Sequence, residues 1–154
     1  LQHSLDFINS ADLDKTVCVH VRRGDYVTSP LYSKTIGALP FSFYQRGMDY
    51  FRKQITGVQF HIFSDDLQWC RDNFSSHDIT IADESHIGNK ALNYFQLMSG
   101  YKHFLISNST YSWWAAWLGE QPNSIVLAPD QWYLDTKYTN DDILPDRWIR
   151  IKRN

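Results

Sequence analysis

The residues able to bind or move charge are concentrated in three short stretches. In the first, a Val-rich run from Val17 stops at His20, and Arg22, Arg23, Gly24 and Asp25 follow. A buried strand gains nothing from charge at its end, whereas ligands of open α/β sheets sit where strands end. Two adjacent guanidiniums there point to a phosphate-bearing ligand, because their N–H fork matches phosphate oxygens. Strand alternation places His20 and Arg22 on one face and Arg23 near the other. Gly24 permits a sharp turn directly after the charges. Asp25 reads equally as an ion-pair partner of Arg22 or Arg23 and as a proton acceptor beside them.

The second stretch, Ser107-Asn-Ser-Thr110, follows another apolar run and precedes a helical pattern. Hydroxyl and amide groups at a helix start have two compatible uses. They cap the helix, worth about 1 kcal/mol. They also join the exposed backbone N–H groups in holding an anion, helped by the roughly half positive charge of the helix end. Asn108, Ser109 and Thr110 are therefore candidate ligand contacts, with Ser109 or Thr110 the expected cap. The third stretch is Phe63-Ser-Asp-Asp66. Asp65 and Asp66 read as helix caps or as a pair of metal-binding carboxylates. Capping is preferred, because two nearby guanidiniums neutralise a diphosphate without a metal and repel a divalent cation. Ser64 and Asp65 remain candidates to line a ligand pocket.

The elements that must hold these stretches alternate in type. Short β-branched runs at 16–21, 58–63, 79–82, 103–106 and 124–127 predict strands. Helical patterns occupy 42–55, 67–73, 90–99 and 111–118, the first opened by a Ser42/Gln45 capping-box pattern. Residues 22–41 read as a long polar loop, and 130–154 as a loop-rich end. The alternation predicts an α/β fold, a Rossmann-like parallel sheet with helices on both faces. Trp113 and Trp117 share a helix face, and core packing is the expected use of that cluster.

Bulk properties narrow the function class. The 154 residues suffice for one domain, taken as 1–154. A net charge of −2 excludes the broad basic face of a duplex nucleic-acid binder. Aromatics reach 16%, which suits a thick core, a sugar-facing surface, or both. Cys18 and Cys70 are isolated and read as buried small hydrophobes. His61, His77, His86 and His103 show no metal-ligand spacing, and no metal is expected. Asn73-Phe-Ser75 and Asn108-Ser-Thr110 are glycosylation-type triplets that matter only in a secretory pathway. No apolar run approaches the ~20 residues of a membrane span. No signal-peptide pattern opens the chain. Residues 1–14 read as the end of a helix from a longer protein.

With these stretches in view, the chain resembles the α-1,2-fucosyltransferases of glycosyltransferase family 11. The resemblance rests on His20-Val-Arg-Arg-Gly-Asp-Tyr26, on Phe63-Ser-Asp-Asp66 with Trp69-Cys70, on Leu97-Met-Ser99, and on Ile106-Ser-Asn-Ser-Thr-Tyr-Ser-Trp-Trp-Ala-Ala-Trp-Leu118. The blocks keep the family order and spread over nearly the whole chain. The last block is closer to bacterial members than to animal ones. The resemblance implies one half of a GT-B-type transferase, binding GDP-β-L-fucose and passing fucose with inversion to O2 of a terminal galactoside. It implies no cofactor and no required metal. By similarity His20 contacts guanosine, Arg22 the diphosphate with Arg23 in support, and Ser109 and Thr110 add phosphate contacts.

Two departures qualify that mapping. The N-terminal, acceptor-side half of such enzymes is absent here, and it becomes an expected partner beside GDP-fucose and a galactose-terminated glycan. Many members carry an acidic residue before Leu-Met-Ser. Asn93, Tyr94 and Gln96 stand there instead, with Asn93 the candidate guanine contact. Arg22 and Asp25 are the candidate catalytic residues. The bacterial character gives an expectation of a cytoplasmic protein, at most peripheral to the inner membrane. Two other readings stay open: a nucleotide- or glycan-binding module without catalysis, and a metal-dependent nucleotide-sugar transferase built on Asp65 and Asp66.

Overall fold

The computed structural model describes residues 2–87 and 91–154. Its centre is β1 (Thr16–Val21), buried along its whole length. Val17, Val19 and Val21 point to one side, Cys18 and His20 to the other, as strand alternation requires. Both sides are covered, so both can be apolar. Each fully buried valine contributes about 1.5–3 kcal/mol relative to exposure.

Five further strands complete one parallel sheet: β2 (Gln59–Ser64), β3 (Ile79–Ile81), β4 (His103–Leu105), β5 (Val126–Pro129) and β6 (Ile149–Ile151). Their spatial order is β3-β2-β1-β4-β5-β6. Register runs Val17↔Phe60 toward β2 and Val17↔His103 toward β4. One face is covered by α4 (Phe41–Gln54) and α5 (Leu67–Asn73), whose Phe43, Tyr44, Phe51 and Cys70 pack on the valines. The other carries α1 (Gln2–Asn9), α7 (Ala91–Met98) and α8 (Thr110–Gly119). This is the Rossmann-like architecture expected from the sequence. Strand order reverses between β1 and β4, and at such a switch point the carboxyl ends of the strands open a crevice.

Several expectations are corrected. Residues 22–41 are not simply a loop, because α2 (Gly24–Thr28) and α3 (Pro30–Thr35) form within them. Ser29 caps α3 by accepting from the Tyr32 N–H, and Pro30 sits where a missing donor costs nothing. The 130–154 segment contributes β6 on the sheet edge, paired Leu127↔Ile149. The Ser42/Gln45 pattern does not cap α4, which begins at Phe41 after Pro40. The Trp cluster is core only in part: Trp113 packs against the core, and its Nε1 donates to the Ile143 carbonyl at 2.8 Å. Trp113 and Trp117 do stack, with ring centroids 5.1 Å apart. Yet Trp114 and Trp117 are exposed, because α8 presses its small residues Ser112, Ala115, Ala116 and Gly119 against the sheet. Asn108 is fully buried, so its triplet is closed to glycosylation in the folded chain. No described helix is long and apolar enough to cross a membrane.

Candidate active site

A cavity of about 660 Å³ opens at the switch point, lined by residues from the carboxyl ends of β1 and β2, from α2, α3 and α7, and from the start of α8. Its size lies within the roughly 300–1,000 Å³ of small-molecule sites. The two central strands are joined beyond their ladder by a side-chain bond: His20 Nδ1 and Ser107 Oγ are 2.7 Å apart. The Ser107 hydroxyl lies 3.4 Å from that of Ser112 in the first turn of α8. His20 is thereby fixed to the start of α8, with its ring beside Tyr111 at 5.7 Å. Burial, with the Arg22 charge, holds its imidazole down to about 3. The ring is neutral near pH 7 and serves the cavity as a hydrogen-bonding group, not a cation.

Arg22 reaches into this cavity between two carboxylates. Nη2 meets Asp25 Oδ1 at 2.7 Å, and Nη1 meets Asp65 Oδ2 at 3.0 Å. Asp65 Oδ1 also accepts from the Arg23 backbone N–H at 2.9 Å. Gly24 allows this close approach, since a Cβ on it would lie 2.5 Å from Asp65 Oδ2. Arg23 goes the other way, as alternation requires. Its Nε donates to Asp66 Oδ2 at 3.1 Å, and its guanidinium stacks 4.2 Å from the Trp69 ring. Asp66 caps α5 by accepting from the Trp69 N–H at 3.0 Å. Each acid of Asp65-Asp66 is thus committed to a different arginine. Among the described residues no three His, Cys, Asp or Glu converge as a metal cage.

The opposite wall is the start of α8. Ser109 is its N-cap residue but makes no side-chain cap bond. The first-turn N–H groups, orphans by helix geometry, therefore lie at the wall that Ser109, Thr110 and Tyr111 form. The turn is braced from below. Asn108 Nδ2 donates to the carbonyls of Ile36, Gly37 and Trp132 at 3.2, 2.9 and 3.1 Å. Arg153, also buried, donates to Ile36 and Gly37 from Nη2, both at 2.8 Å.

Of the residues singled out in the sequence, His20, Arg22, Asp25, Ser64, Asp65, Ser109 and Thr110 share the cavity. Arg23 and Asn108 do not line it; one braces α5 and the other the turn that precedes α8. The side chain of Asn93 lies outside the described residues. Sequence reasoning missed the aromatic lining of Tyr26, Tyr32, Phe63, Tyr94 and Tyr111. Burial raises the phenols of Tyr26 and Tyr94 and pushes Tyr111 up to about 12, so all three are donors at neutral pH. Tyr26 donates to the Asn108 carbonyl at 3.2 Å. No local pattern announces these residues, which come from five separate elements. A chemical signal existed at Tyr26 and Tyr111, each adjacent to a polar stretch already marked.

The family model described as Glycosyl transferase family 11 matches residues 3–152. An O-antigen biosynthesis glycosyltransferase of Escherichia coli, WbnK, is 36% identical over 138 residues, covering 88% of this chain and 44% of that protein. An α-1,2-colitosyltransferase of Escherichia coli is 32% identical over 140 residues, 90% of this chain and 48% of that protein. A bovine galactoside α-(1,2)-fucosyltransferase 1 is 33% identical over 144 residues, 88% of this chain and 38% of that protein. The chain spans less than half the length of each of these relatives. It belongs to glycosyl transferase family 11.

Proposed function

We propose that this chain is the donor-binding half of an α-1,2-fucosyltransferase that takes L-fucose from GDP-β-L-fucose and places it, with inversion, on O2 of a terminal galactoside. One observation carries the reading: Arg22 and Thr110, from different strand–helix units, line one cavity at the switch point. A diphosphate between them meets a guanidinium fork on one side and a helix N-terminus on the other. Phe63, Tyr94, Met98 and Tyr111 offer an apolar compartment for guanine, with His20 and Ser64 as its polar contacts.

The chemistry follows from where charge develops. The galactose hydroxyl oxygen forms a bond to the anomeric carbon as the bond to the β-phosphate oxygen breaks. The electron pair leaves with GDP, whose negative charge grows through the transition state. Arg22 and the α8 N–H groups bind that charge more tightly as it grows, which is what accelerates the step. Charge-assisted bonds of about 1.5–3 kcal/mol each supply part of the barrier reduction, and orientation of the two sugars the rest. The hydroxyl proton passes to Asp25, a carboxylate on the cavity wall. The reading requires no resident metal, which the pairing of Asp65 and Asp66 with arginines favours.

The test is calorimetric titration of the chain with GDP-fucose in EDTA and again in magnesium. Equal affinity in both is expected. Binding only with magnesium would instead select the metal-dependent reading, and glycan binding without any nucleotide affinity the non-catalytic module.

A further inference from the structure

Arg22 carries two carboxylates, and the structure holds them very differently. Asp65 is anchored at both oxygens, one on Arg22 Nη1 at 3.0 Å and one on the Arg23 N–H at 2.9 Å. Its loop is tied down in turn, since the Asp66 N–H donates to Ser64 Oγ at 2.9 Å and Asp66 caps α5. Asp65 is wedged against Gly24, with no room for a Cβ between them. Asp25 has none of this support. It sits in the first turn of the five-residue α2, its side chain is 42% exposed, and its hydrogen bond goes to Arg22 Nη2 at 2.7 Å. Both acids face the same cavity.

The geometry points to opposite roles for the two acids, an inference that rests on the donor reading above. Asp65 is a positioning residue that holds the Arg22 fork toward the cavity. Asp25 is an intramolecular competitor of the donor diphosphate for Arg22 Nη2. A phosphate oxygen that takes this N–H displaces a carboxylate with one tether, not one with two. Displacement leaves Asp25 ionised, released from its cation and beside the nucleotide's negative charge. Each of these changes favours its taking a proton. The proton comes from the acceptor hydroxyl as that oxygen bonds to the anomeric carbon, and the pair from the broken bond departs on GDP. Donor binding thereby supplies the base: proton acceptance is coupled to occupancy of the phosphate site through a single arginine.

The two roles predict effects of opposite sign. Calorimetry with GDP, inorganic pyrophosphate and guanosine is run on the wild-type chain, Asp25→Asn, Asp65→Ala and Asp65→Asn. Loss of an exposed competing ion pair makes Asp25→Asn bind GDP and pyrophosphate about two- to five-fold more tightly, with guanosine unchanged. Asp65→Ala weakens both phosphate ligands. Asp65→Asn, which keeps an acceptor for the Arg23 N–H, recovers part of the loss. In the wild-type chain labelled with ¹³C at aspartate carboxyls, GDP moves the Asp25 signal and leaves that of Asp65 in place. Unchanged or weaker GDP binding by folded Asp25→Asn overturns the assignment, as does an Asp25 carboxyl signal that ignores GDP. Both leave the donor reading standing if the wild-type chain binds GDP. Failure of the wild-type chain to bind GDP defeats the donor reading and this inference together.

Discussion

Replacing Arg22 with alanine removes the cation on which the phosphate site depends. The side chain is about one-third exposed and offers a two-pronged fork. Two charge-assisted hydrogen bonds to a diphosphate are worth roughly 3–6 kcal/mol in all. Against this stands the ion pair with Asp25, which binding must break. Exposed pairs of that kind are worth about 0.2–1 kcal/mol each. The net loss is about 2–6 kcal/mol, and at 1.4 kcal/mol per decade this lowers GDP affinity roughly 30- to 20,000-fold. Two acids left without their cation, facing an anionic ligand, push the loss toward the upper end. Arg22→Lys keeps the charge but not the fork and falls between wild type and Arg22→Ala. The assay is calorimetric titration with GDP at fixed salt, with thermal melting of each variant to establish folding. A folded Arg22→Ala chain binding GDP within threefold of wild type refutes the reasoning.

Three further outcomes follow from the geometry. Gly24→Ala places a Cβ 2.5 Å from Asp65 Oδ2, so it lowers both melting temperature and GDP affinity, although alanine is favoured in helices by about 0.8–1 kcal/mol. Asn108→Ala removes one of two donors to the carbonyls of Ile36, Gly37 and Trp132, leaves Arg153 as the other, and destabilises the chain by about 1–2 kcal/mol in urea titration. GDP affinity of the folded fraction changes little, because Asn108 braces the site without lining it. His20 binds a proton below about 6.5 when unfolded but only near 3 when folded. Its contribution to stability is therefore complete above that unfolded value and lost as pH falls toward 3, by up to about 1.4 kcal/mol per pH unit. His61, held near 4 mainly by burial, adds to the same slope. Chemical denaturation between about pH 5 and 6.5, above the ordinary carboxylate range, shows a shallower slope for His20→Asn than for wild type.

The parts of the fold legible in the sequence were those with a long local signal. Thr16–Val21 gave β1 its correct bounds because six consecutive buried positions leave no ambiguity. The reversal at β1 and β4 was approached through chemistry: both polar stretches lie just after apolar runs, and both proved to border one crevice. What escaped detection was short or depended on distant partners. α2 has only five residues and buries none, so it carries no apolar stripe. β6 has three residues after an Asp- and Pro-bearing segment, and its partner Leu127 lies more than twenty positions away. Trp114 and Trp117 of α8, unlike Trp113, were misread from their bulk. Small residues at 112, 115, 116 and 119 follow helical spacing, and that was the sign that the opposite, aromatic side faces out. For Arg22, Arg23, Asp65 and Asp66 the sequence supplied the residues but not the pairing, because one arginine and one acid turn to each side of the sheet.

The decisive measurement is a structure determined with GDP bound. The diphosphate is expected between Arg22 and the first turn of α8, with guanine against Phe63 and Tyr94. The contrary result is GDP at the opposite, amino-terminal edge of the sheet, in the cavity that Phe7, His61 and His86 line, or a diphosphate beyond reach of Arg22.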